Sequence, residues 1–73
     1  MANFAERIRA LRKEKGLSQE EVGSVIGLKK YAVYSYEKGR ACPDVRGLIA
    51  LADYFNVSMD YLAGRTDNPD INR

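Results

Sequence analysis

The chain has 73 residues, 45% of them hydrophobic and 30% charged, with a net charge of +2. That is one small domain with a thin core, neither disordered nor carrying a run near the ~20 apolar residues that span a bilayer. It has one cysteine, Cys42, and no histidine, so an internal disulfide is excluded. A zinc site and a histidine general base are disfavoured as well, and with them an enzyme. The start, Met-Ala-Asn-Phe-Ala-Glu-Arg, lacks the apolar stretch of a secretory signal, so the expected location is the cytoplasm, with no membrane contact.

Caps and apolar spacing predict five helices and no strand. The nearest approach to strand alternation, Tyr31 to Tyr36, is short and lies between helical signals. The first helix is expected over about Phe4 to Lys15. Asn3 caps it, Glu6 completes a capping box, and Phe4, Ile8 and Leu11 share one face. Arg7, Arg9, Arg12 and Lys13 are expected to point away from the core, and Gly16 to end the helix.

The second helix starts at Ser18 with Glu21 closing the box and a Leu17–Val22 staple. Val22, Val25 and Ile26 form its inward side, and Gly27 ends it. The third follows at once, with Leu28 and Val33 as a staple about Lys29, a poor cap. Val33 and Tyr36 are its inward residues and Gly39 its stop. A connection to Pro43 leads to the fourth helix, from the Asp44 cap to Phe55, with Val45, Leu48, Leu51, Ala52 and Phe55 at core spacing and Asn56 as a left-handed exit. Val57 and Ser58 open a short last helix, with Leu62 in the staple position and Gly64 as stop. The domain is taken as residues 1–64; 65–73 is a polar tail expected to fray.

Two short helices joined by a tight turn at Gly27 form a helix-turn-helix pattern. Gly23, inside the second helix, lowers helix propensity by about 1 kcal/mol relative to alanine. Its small size makes sense where the next helix must pack across it. Charge is unevenly spread. Residues 1–40 hold nine Lys or Arg against five Glu, whereas 41–73 hold three Arg against five Asp.

The stretch Leu17-Ser-Gln-Glu-Glu-Val-Gly-Ser-Val-Ile-Gly27 precedes Val33 and Tyr36-Glu-Lys-Gly39. Pro43-Asp44, Leu48-Ile-Ala-Leu-Ala52 and Val57-Ser-Met-Asp-Tyr-Leu-Ala-Gly64 follow. Together they resemble the Cro/C1-type (XRE-family) helix-turn-helix domain over about residues 3–64. The resemblance implies an all-α, five-helix, lambda-repressor-like fold that binds double-stranded DNA as a homodimer and regulates transcription. It needs no cofactor. Carried over by position, Gln19 touches a phosphate and braces the reading helix. Lys29, Lys30, Tyr31, Tyr34 and Ser35 belong to that helix's groove-facing side, Lys38 and Arg40 contact phosphates, and Glu37 is structural.

The chemistry agrees. Lys30 can donate to guanine O6 and N7, and the tyrosines offer a hydroxyl and an apolar ring to a phosphate or a thymine methyl. The chain departs from the family in carrying Lys29 where Ser or Thr is common. It also has no Arg, Gln or Asn on the reading face, which shifts the expected readout toward phosphates and DNA shape. Gly47, Ala50 and Tyr54 lie three and four apart on a face separate from the core set, and with Tyr61 they are the candidate dimer surface.

The favoured reading is a regulator, a repressor, on a palindromic operator. The alternative is an antitoxin or antagonist acting through a protein partner, to which the absence of room for a sensor domain lends some weight. Cys42 reads as an ordinary loop residue, with a redox switch as the lesser alternative.

Overall fold

The computed structural model describes residues 2–71. Within them lie five helices: α1 (Phe4–Glu14), α2 (Gln19–Val25), α3 (Lys30–Glu37), α4 (Val45–Phe55) and α5 (Met59–Ala63). The caps are those expected from sequence. The Asn3 and Ser18 side chains accept from the backbone N–H groups of Glu6 and Glu21, whose carboxylates accept in return from the cap N–H groups. Asp44 and Ser58 accept from Gly47 and Tyr61. Asn56 takes the left-handed exit from α4 at φ 56°. Lys29 stands at the N-cap of α3 with no side-chain hydrogen bond to the helix, so that first turn lacks the side-chain acceptor the other four helices have.

One core joins all five helices. Ile8 and Leu11 of α1 meet Val22 of α2, Val33 and Tyr36 of α3, Leu51, Ala52 and Phe55 of α4, and Val57 and Leu62 at α5. Phe4, Leu17, Ile26 and Leu48 pack around it, partly buried. The ring of Phe4 meets that of Tyr36 edge to face at 5.8 Å, a favoured aromatic geometry.

Several expectations need correction. Val45, expected in the core, is 68% exposed, because it sits in the first turn of α4 where neighbouring helices do not reach. Leu28 is 46% exposed, so of the third helix's expected staple only Val33 is buried. Arg7, expected to face solvent, is buried. Its guanidinium lies 3.8 Å from the centroid of the Tyr61 ring, and Nη2 donates to Asp67 at 2.6 Å. Arg7 Nη1 is buried without a hydrogen-bond partner among the described residues. Arg12 is likewise drawn inward, as described below.

The polar tail expected from sequence lies against the domain. Over its described part it makes specific contacts: the Asp67 pair, and the Ser58 N–H donating to the Pro69 carbonyl at 2.9 Å. Residues 72 and 73 lie outside the described residues.

Gly23 shows why a helix-weakening residue stands in α2. A Cβ there would lie 2.8 Å from the carbonyl oxygen of Leu28 and 3.0 Å from that of Lys29. The obstruction is the backbone of the turn, which folds over α2 with the Leu28 N–H bonded to the Gly23 carbonyl at 2.8 Å. Gly23→Ala therefore pits a propensity gain of about 1 kcal/mol against overpacking of about 1–3 kcal/mol that rigid backbone cannot relieve. The expected outcome is a net loss of stability, read as a lower midpoint in thermal unfolding; a raised midpoint would show that the turn yields.

Candidate nucleic-acid interface

The α2–turn–α3 unit presents α3 by burying one side of it. Val33 is fully buried and Tyr36 nearly so, while Lys30, Tyr31, Tyr34 and Lys38 stand outward along the opposite side. Burial pushes the Tyr36 phenol above its ordinary pKa of 10.0, and the nearby charges of Asp44 and Cys42 add to the rise. The hydroxyl is therefore neutral at physiological pH.

The anchor of α3 is polar. Arg12 of α1 donates from Nε to Glu37 Oε2 at 2.6 Å and from Nη2 to Oε1 at 3.0 Å, and its Nη1 donates to the Leu17 carbonyl at 2.9 Å. Gln19, first residue of α2, donates from Nε2 to Glu37 Oε1 at 3.3 Å. Both charged side chains are largely buried. The hydrogen bond to Glu37 raises the Arg12 pKa against the opposing effect of desolvation, and the Glu37 charge adds to it. One bidentate pair thus joins α1, the start of α2 and the end of α3.

Above this anchor lies the exposed strip. Tyr31 is 76% exposed and its ring meets that of Tyr34 edge to face at 6.3 Å, with 74° between planes. The Lys38 ammonium sits 5.6 Å from the Tyr34 ring centroid, within cation–π reach. Gln19, Lys30, Tyr31 and Tyr34 line an open cleft of about 360 Å³. A second cleft of about 220 Å³ adjoins it, lined by Arg9, Arg12, Gln19, Tyr34, Glu37 and Lys38. The structure thus gathers Gln19, Lys30, Tyr31, Tyr34 and Lys38 on one surface.

Lys29 and Arg40 are exposed at the two ends of α3, and Ser35 is half-buried, its carbonyl accepting from the Arg40 N–H at 2.9 Å. Arg9 is an addition to the residues expected from sequence. Its exposed position beside Lys38 and Gln19 becomes visible only once α1 is packed on α3.

The four candidate dimer residues have different surroundings. Gly47 and Ala50 line a separate cleft of about 550 Å³, together with Val25, Leu28, Tyr36 and Cys42. Tyr54 is exposed, its ring against Phe55. Tyr61 is half-buried beneath Arg7. Among the described residues no cluster of acidic, cysteine or histidine side chains can hold a metal ion, and no helix is long and apolar enough to cross a membrane.

This is a helix-turn-helix domain with its second motif helix exposed on a basic, aromatic surface. The helix-turn-helix family model matches residues 8–62, and the chain belongs to that family, in its XRE branch. It is 37% identical over 67 residues to the uncharacterized HTH-type transcriptional regulator YobD of Bacillus subtilis, covering 92% of this chain and 60% of that protein. To the cryptic phage CTXphi transcriptional repressor RstR of Vibrio cholerae it is 36% identical over 64 residues, covering 88% of this chain and 58% of RstR. The chain thus spans about three fifths of the length of these relatives. The crystal structure of the P22 c2 repressor protein with a synthetic operator superposes with a TM-score of 0.83 at 30% identity, over 90% of this chain and all of that one.

The Arg12–Glu37 pair is measurable. Glu37→Ala leaves the Arg12 guanidinium buried and uncompensated, and is expected to remove about 3–5 kcal/mol in urea unfolding. That is a large part of the ~5–15 kcal/mol available to a small domain. Arg12→Met combined with Glu37→Leu, which leaves no orphan charge, is expected to recover most of that loss. Equal losses in the single and double variants would show that the pair is not a coupled unit.

Proposed function

We propose that this chain is a cytoplasmic transcriptional repressor that binds a palindromic operator as a homodimer, with α3 in the major groove. The observation that carries the reading is the exposed Lys30–Tyr31–Tyr34 side of α3. It is held outward by buried Val33 and Tyr36 and flanked by the cations Arg9, Lys38 and Arg40. A short helix of this kind fits the major groove. Its N-terminal residues reach base edges while flanking cations meet phosphates. The P22 c2 repressor, a protein of the same fold solved in complex with a synthetic operator, supports operator binding. Lys29 and Ser35 lie at the margins of the same surface, and Gln19, tied to Glu37, is placed to pass a hydrogen bond to a phosphate at the mouth of the groove.

Selecting bound duplexes from a random pool tests the reading directly. The expected product is a palindrome whose half-sites lie about one helical turn, roughly 34 Å, apart. Lys30→Ala is expected to relax preference at one base position per half-site. Lys38→Ala or Arg40→Ala is expected to weaken binding to all sequences and to flatten the salt dependence by about 0.9 in log–log slope for each phosphate no longer neutralised. Unchanged affinity in the Lys30, Tyr34 and Arg40 triple alanine variant would remove α3 as the reading element.

Of the four residues proposed for the dimer surface, Tyr54 is the most exposed large side chain. Sedimentation is expected to show concentration-dependent dimers that Tyr54→Arg dissociates. A monomer mass at every concentration would exclude this surface.

A further inference from the structure

The outward residues of α3 present an unusual set for reading bases. None is Arg, Asn or Gln, the residues that pair with guanine or adenine through two hydrogen bonds. The largest exposed groups are instead two aromatic rings set steeply to one another, with centroids 6.3 Å apart. They form a corner. Gln19 and Lys30 complete the walls of its 360 Å³ cleft. The Gln19 amide is fixed by Glu37, and the Lys30 stem offers methylenes while its ammonium stays in water. Tyr34 is further steadied by Lys38 at its ring. The cleft is therefore apolar at its corner and polar at its rim.

Among the groups that the major groove displays, the one apolar projection is the 5-methyl of thymine; all others are hydrogen-bond donors or acceptors. We propose that the Tyr31–Tyr34 corner is a receptor for a thymine methyl. The chain then selects a T·A pair by shape and apolar contact, while Lys30 donates to the acceptor edge of a neighbouring base. This assignment rests on the DNA-binding reading above and specifies which chemical group of the operator the tyrosines recognise. Tyr31 is suited to the task, because a ring 76% exposed contributes little to the fold and has its area free to be covered by a base.

The test replaces thymine by uracil, which removes the methyl and nothing else, one position at a time in a duplex selected from the random pool. Binding of the full chain is read by anisotropy at fixed salt. Loss of one buried methyl is expected to weaken binding about fourfold at one thymine per half-site, and about fifteenfold when both half-sites are changed. Tyr31→Ala and Tyr34→Ala, each checked for folding by thermal melt, are expected to bring the thymine-to-uracil ratio close to one, whatever their overall affinity. Equal binding of thymine and uracil duplexes at every position overturns the methyl receptor while leaving DNA binding intact. So does a ratio that survives in both tyrosine variants. Failure to select any duplex overturns the receptor together with the DNA-binding reading.

Discussion

The Arg12–Glu37 pair is the constraint on which the reading surface depends. Apolar packing alone leaves a short helix free to slide or rotate among nearly equivalent contacts, whereas a planar guanidinium facing a carboxylate through two hydrogen bonds allows one register. The third donor of the same guanidinium reaches the Leu17 carbonyl, one residue before the cap of α2, and Gln19 adds its amide to the same carboxylate. The three helices that define the interface are thus referenced to one point. A buried pair of this sort adds modestly to net stability but is strongly damaging when halved.

That reference matters because α3 has little support of its own. Eight residues are too few to hold a helix in water, its cap is a lysine without a capping hydrogen bond, and its outward side is given over to two tyrosines and two lysines. Its order comes from below, through Val33, Tyr36 and Glu37. The division is clean: residues that hold the helix face the core or Arg12, and residues that would meet a ligand carry almost no structural duty. Such a surface tolerates exchange of its outward residues, since recognition can change without disturbing the fold.

Local chemistry makes most of this legible in the sequence. Capping boxes at Asn3 and Ser18, caps at Asp44 and Ser58, the exit at Asn56 and the inward spacing of Val33 and Tyr36 all act across three or four residues, and neighbours in the chain suffice to place them. What escapes acts over long distances. Arg7 and Arg12 look like solvated charges until their partners, 60 and 25 residues away in sequence, are brought alongside. Arg9 enters the candidate site only through the packing of α1 on α3. Val45 satisfies an apolar period and Leu28 a staple spacing, yet both remain outside, because spacing says which side a residue is on and not whether a neighbour covers it. The family resemblance marks Glu37 as structural, but only the fold reveals Arg12 as its partner.

The junction at the end of α5 carries a topological consequence. Gly64 adopts a positive φ of 84°, and a Cβ there would run into the carbonyl oxygen of Ala2 and, at 2.9 Å, the Cα of Asn3. The first turn of the domain and its last are therefore in direct touch, closing the five helices into a ring. A domain whose ends adjoin lends itself to circular permutation. A short linker across this seam, with new termini opened in the exposed stretch near Ala41, would keep the five helices, forgo the Arg7–Asp67 and Ser58–Pro69 contacts beyond Gly64, and reverse which half of the fold emerges first from the ribosome.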